Sequence, residues 1–217
     1  IIKSSYLSGT SRISSGCAVD LGTNATLSLY RQSLVNDGTI TASGTLTVSF
    51  DSNGNTNNFT NNGTLTLSGA GLDINDGGFI NSSGATTPLV GTSITIEKNF
   101  TSGGSFDLAG KTVTLNGGDD RDDSNITCNA AIAGSLTINK THATGITQFL
   151  SDCNIGGNFT RTDGPLSLQS AIVRVITVLG NFSVATTDQL GGASTTLLFA
   201  SSGIQYASST GVPWGGP

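Results

Sequence analysis

The chain has 217 residues, of which only 11% are charged, and its 9 Lys and Arg against 14 Asp and Glu leave a formal net charge of -5. No basic surface is available to neutralise phosphates, which argues against a nucleic-acid partner, and no run of ~20 apolar residues is present to span a bilayer. Disorder is excluded as well: 35% of the residues are hydrophobic, and they are mainly aliphatic or β-branched and recur at alternate positions.

Taken in chain order, the sequence starts Ile1-Ile2-Lys3 and contains no Met, which suggests a processed mature protein or a piece of a longer one. Thr26-Leu27-Ser28-Leu29, Thr45-Leu46-Thr47-Val48 and Thr64-Leu65-Thr66-Leu67 follow, each nineteen positions after the last. In such a tetrapeptide, apolar and hydroxyl residues alternate, so a strand built from it has one dry and one wet face. The next copy, Ser93-Ile94-Thr95-Ile96, comes twenty-nine positions after Thr64, and the excess predicts that Gly71 to Pro88 form a coil carrying an inserted loop near 71–90. Nineteen positions after Ser93 stands Thr112-Val113-Thr114-Leu115. Between these two copies, Gly103-Gly104 and Ala109-Gly110 supply turns around a short alternating run, Ser105 to Leu108. Later copies are Ser135-Leu136-Thr137-Ile138, Asn154-Ile155, Val175-Ile176-Thr177-Val178 and the weaker Thr195-Thr196-Leu197-Leu198. The one helix-like stretch, Ile146 to Leu150, is about one turn long.

A second signature shares this lattice: Asn58-Phe59-Thr60, Asn99-Phe100-Thr101, Asn158-Phe159-Thr160 and Asn181-Phe182-Ser183. A fixed period of this length is the mark of a solenoid, in which no repeat buries its apolar face alone. The expected fold is therefore all-β, a single parallel β-solenoid domain over 1–217, with coils of about nineteen to twenty-three residues. Leu27, Leu46, Leu65, Ile94, Val113, Leu136, Ile155 and Ile176 would form an interior ladder, with Phe100, Phe159 and Phe182 inside at strand exits. Thr47, Thr66, Thr95, Thr114 and Thr137 would line up outside as a hydroxyl ladder, the candidate binding surface. The Asn residues before the Phe positions suit turns, since Asn tolerates left-handed backbone.

Candidates for chemistry are few. Asp119, Asp120, Asp122 and Asp123, with Ser124 and Asn125, offer oxygens that Ca²⁺ accepts, but their order matches no calcium loop and Arg121 interrupts them, so a solvated loop tip is the preferred reading. Asp51 to Asn57 places oxygens at alternate positions with a single charge. His142 is the only histidine and is read as a surface residue. Cys128 and Cys153 stand twenty-five positions apart, near one coil, and can either form a disulfide or stack as small apolar groups, while Cys17 is expected to be a free, buried thiol. Asn-X-Ser/Thr sequons occur at Asn24, Asn58, Asn62, Asn81, Asn99, Asn125, Asn139, Asn158 and Asn181. No catalytic constellation, cofactor site or metal site is identified.

The TLTL, IGGNFT and TVTLNGG repeats resemble those of secreted bacterial β-solenoid surface proteins, the filamentous-haemagglutinin-like and autotransporter-type adhesins. The resemblance covers essentially the whole chain and implies a right-handed parallel β-helix outside the cell, acting in attachment or as a structural rod or filament subunit. End-to-end self-association, or contact with other surface proteins or glycans, is the partnership it implies. Two other readings stand beside it: an ice- or polysaccharide-binding module using the Thr ladder, and, third, a polysaccharide-degrading enzyme. The ladder reading is weakened at Asn154-Ile155-Gly156 and Val175-Ile176-Thr177, which break the Thr-X-Thr pattern.

Overall fold

The computed structural model describes residues 2–3, 9–51, 57–68, 71–90, 93–107, 110–117, 123–141, 146–164, 166–167, 174–184, 190–191, 195–200 and 207–209. Among them every regular element is a β-strand, and every strand pair is parallel. Strands stack into three faces that the chain visits in turn, forming a β-solenoid of stacked coils. Face A is a ten-stranded sheet that includes Ala25–Tyr30, Leu46–Asp51, Leu72–Asn75, Ile94–Ile96, Thr112–Gly117, Ser135–Lys140, Phe159–Asp163 and Phe182–Val184. Face B has nine strands, among them Gln32–Asn36, Asn57–Asn61, Gly77–Asn81, Phe100–Ser102, Ser124–Cys128 and Thr147–Phe149. Face C is divided: a five-stranded sheet ends at Ser105–Asp107, and a three-stranded sheet starts at Cys153–Ile155.

Alternation within each strand sends one set of side chains inward, and parallel register stacks each set into a column. On face A, Leu46, Leu72, Ile94, Val113, Leu136, Phe159 and Phe182 form one such column, with Val48, Ile74, Ile96, Leu115 and Ile138 beside it. On face B the sequence is Leu34, Phe59, Phe79, Phe100 and Ile126, with Phe149 above. All of these side chains are buried. The Phe59 and Phe79 rings sit 5.4 Å apart and those of Phe159 and Phe182 5.3 Å apart, within the range of favourable ring pairs. Each fully buried Leu, Ile or Phe contributes about 1.5–3 kcal/mol, and only the stack as a whole can supply that burial.

Four expectations need correction. Leu65 pairs with Ile40 on face C, and Ile155 and Ile176 lie on the second sheet of that face, so the nineteen-position lattice does not trace a single interior ladder. The reason is that all three faces use the same alternating chemistry, so a spacing of nineteen can join different faces. Coil length varies from the nineteen positions between Ile94 and its partner Val113 to the twenty-six between Leu46 and Leu72, because turns take up extra residues without disturbing the rungs. Residues 71–90 hold no inserted loop: Leu72–Asn75, Gly77–Asn81 and Thr86–Val90 are a full coil with one strand on each face. Thr147–Phe149 is likewise a strand rather than a helical turn.

The interior is not wholly apolar. At the corner between faces B and C, Asn36 Nδ2 donates to Asn61 Oδ1 at 2.8 Å, Asn61 Nδ2 to Asn81 Oδ1 at 3.0 Å, and Asn81 Nδ2 to the Gly103 carbonyl. At the corner between faces A and B the buried Lys140 ammonium donates to the Asn116 carbonyl at 2.6 Å and to the Glu97 carbonyl, tying three coils together. Arg161, in register with Ile138, donates through Nε to the Gly164 carbonyl at 2.6 Å. Gly77 is required by packing: a Cβ there would stand 2.2 Å from the Phe50 ring and 2.9 Å from the Asn57 carbonyl.

Candidate functional site

The outward residues of face A form the surface on which the Thr ladder was expected. Register joins Thr26 to Thr47, Thr47 to Asp73, Asp73 to Thr95, and then Thr114, Thr137, Thr160 and Ser183 in order. Thr47, Thr95, Thr114 and Thr137 therefore belong to one column at the strand spacing of ~4.8 Å. Thr66 does not: it pairs with Thr41 on face C. The interruptions expected at Asn154-Ile155-Gly156 and Val175-Ile176-Thr177 also fall on face C, so they do not break this column. What breaks it is Asp73.

Thr160 and Ser183 extend the column, and sequence reasoning did not assign them to it. Their signal was the Asn-Phe-Thr/Ser motif, which sits on face B at Phe59 and Phe100 but on face A at Phe159 and Phe182. From Thr95 to Ser183 the column is uncharged. Thr112 and Ser135 flank it on one side, Asn116 and Asn139 on the other. Every residue from Thr47 to Ser183 in the column is half-buried by its neighbours, a consequence of close rungs. Asp73 feels this most, since burial pushes its carboxyl above the ordinary 3.8 by disfavouring the charged form. Chemically, the surface offers a row of hydroxyl donors and acceptors alternating with methyl groups, with one carboxylate near one end.

Other candidates resolve as follows. Cys128 and Cys153 form a disulfide with Cα atoms 5.2 Å apart, which decides between the two readings of that pair. Cys17 is free as expected but exposed rather than buried, because it lies in the turn between Gly9–Ile13 and Ala18–Asp20. Asp119, Asp120, Asp122, Arg121 and His142 lie outside the described residues, as do residues 52–56. Asp123 is exposed, and its Oδ1 accepts the Ile146 amide at 2.8 Å. Among the described residues no three His, Cys, Asp or Glu side chains converge as a metal site, and no helix is long and apolar enough to cross a membrane.

The sequon asparagines prove to be coupled to the stack. Asn81 is buried in the interior ladder, and Asn24, Asn99 and Asn158 each accept, through Oδ1, an amide of the following coil, from Thr45, Asn125 and Asn181 respectively. Their turn role is thus also an adhesive one between coils.

No protein family matches the chain, and neither does any curated protein or solved structure.

Proposed function

We propose that the chain is a structural and adhesive β-solenoid of the cell exterior, a segment of a surface rod or a filament subunit. The observation that carries this reading is a Cys128–Cys153 disulfide tying the chain across a stack of parallel coils. Disulfides persist in oxidising compartments and are rare in the reducing cytosol. A parallel stack, each coil touching its neighbours, is by construction a rod whose length follows coil number, and its terminal strands present backbone groups that pair with a further strand. Self-association through those edges, or contact with other surface proteins or glycans, is the partnership this reading assigns. It assigns no catalytic step to the chain. Antibody labelling of intact and permeabilised source cells tests it: label on intact cells supports an external rod, and label that requires permeabilisation contradicts it.

A second reading is favoured by one specific observation, the uncharged column from Thr95 to Ser183. A flat row of hydroxyls and methyls at fixed spacing suits a neutral ordered surface, crystalline polysaccharide or ice. Co-sedimentation with insoluble polysaccharides and a thermal-hysteresis assay, each repeated with Thr137→Lys, distinguish specific recognition by this face from its absence.

A further inference from the structure

Arg31 alone turns the chain from Ala25–Tyr30 on face A to Gln32–Asn36 on face B, and it does so with φ 54. Among the described residues, every other backbone in this left-handed region belongs to Gly, Asn or Asp. Asp76, with φ 57, makes the equivalent turn between Leu72–Asn75 and Gly77–Asn81. Gly, Asn and Asp enter this region at low cost, whereas a long side chain does not. The corner therefore explains a left-handed residue but not an arginine.

What the arginine adds is a guanidinium 5.1 Å from the centroid of the Tyr30 ring. Arg31 is exposed and Tyr30 half-buried, and an exposed cation–π contact returns less than a strained backbone costs. Local stability thus does not account for the pair. The ring restrains the guanidinium while the residue stays exposed, so its planar N–H fork is open to a bidentate oxyanion and loses little freedom on binding one. Thr26 and Ser28 stand on the same outward side of face A, in register with Thr47 and Ser49, and place hydroxyls beside the cation. The negative charge of the chain lies mostly elsewhere: residues 1–51 hold three Lys and Arg against three Asp, and residues 52–217 hold six against eleven Asp and Glu.

We propose that Tyr30 and Arg31 form a subsite for the carboxylate of an acidic polysaccharide. Arg31 is the residue that touches the ligand, and Tyr30 is its positioning residue. A sugar acid carries one carboxylate and several hydroxyls around a single ring, which matches a restrained cation bordered by Thr26, Ser28, Thr47 and Ser49. A peptide carboxylate would use the fork but leave those hydroxyls without a counterpart. The subsite rests on the external, glycan-contacting reading above and names the class of glycan. It lies apart from the uncharged column that starts at Thr95, so the two surfaces would take different ligands.

Isothermal titration of the full chain with alginate, a linear polyuronate, tests the subsite, with dextran as a neutral glycan and polyglutamate as a polycarboxylate that is not a glycan. Alginate is expected to bind at least about tenfold more tightly than either comparator. Arg31→Asn is expected to weaken alginate binding at least about tenfold while melting no lower than the natural protein, since Asn takes the left-handed turn with less strain. Tyr30→Leu should weaken binding as well, and Tyr30→Phe should restore it. Undiminished binding in Arg31→Asn, equal binding of either comparator, or no binding of alginate overturns the subsite. A lower melting temperature in Arg31→Asn also overturns it, by assigning the arginine to the turn, and a Tyr30→Phe variant as weak as Tyr30→Leu overturns the positioning role. All of these are read on the purified chain, so they are distinct from a failure of the external reading, which labelling of cells detects.

Discussion

Asn36 and Asn61, one coil apart in the stack, share a side-chain hydrogen bond of 2.8 Å at a corner of the solenoid that water does not reach. Asn36 Nδ2 also donates to the Thr64 carbonyl, and its Oδ1 accepts the Gly38 amide. Asn61 passes the chain of bonds to Asn81. The next residues along the chain form a parallel exterior ladder, in which Asn62 donates to Asp37 Oδ1 at 2.8 Å and accepts from Ser82 Oγ at 2.5 Å. The two ladders use similar polar groups in different dielectric surroundings, so their energies should differ sharply.

Replacing Asn61 by Leu leaves a donor on Asn36 and an acceptor on Asn81 buried without that partner. The expected loss is roughly 2–4 kcal/mol, measured by urea denaturation. Asn62→Ala, whose partners can turn to water, should cost under about 1 kcal/mol. Equal costs for the two variants would contradict the interior ladder as a source of stability.

Gly77→Ala should destabilise by about 1–3 kcal/mol, since its Cβ would meet both the Phe50 ring and the Asn57 backbone. Because a ring can be shortened and a backbone cannot, Gly77→Ala in a Phe50→Leu background should cost measurably less than in the natural sequence. Thermal denaturation of the four proteins in this cycle checks the coupling. Strict additivity would show that the ring is not what excludes a side chain from position 77.

Asp73 carries a pH dependence of known sign. Its folded carboxyl titrates above the ordinary 3.8, so the folded state holds its proton more tightly than the unfolded one. That contribution favours folding below the unfolded pKa and is lost as pH rises through the folded value. Stability curves for the natural protein and for Asp73→Asn should therefore diverge as pH rises above about 4, with the variant gaining relative to the natural protein. Divergence of the opposite sign would mean that Asp73 is stabilised as a carboxylate.

Much of the fold was legible because alternation of apolar and hydroxyl residues is a local property. Strands at Leu46, Ile94, Val113 and Leu136 and their inward faces follow from it directly. The assignment of strands to faces was not legible, since Leu65 and Leu46 look alike in sequence but belong to faces C and A. For the same reason Thr66 was grouped with a ladder it does not join, and Thr160 and Ser183 were left out of one that they extend. A coil at 71–90 was expected but its strands were not recognised and an inserted loop was added, because Leu72-Asp73-Ile74-Asn75 places a carboxylate and an amide where other copies carry hydroxyls. The buried Asn36, Asn61 and Asn81 were not picked out as interior residues, because a polar side chain announces a corner but not which side of the backbone it occupies. Only register shows that they stack.

Electron microscopy of natively purified material at neutral pH, with mass determined in parallel, tests the structural reading most directly. An external solenoid rod or filament subunit predicts straight, uniform rods or filaments built from this parallel stack, with length increasing with assembled mass. Compact, isotropic particles of monomer mass that form no rods would contradict it.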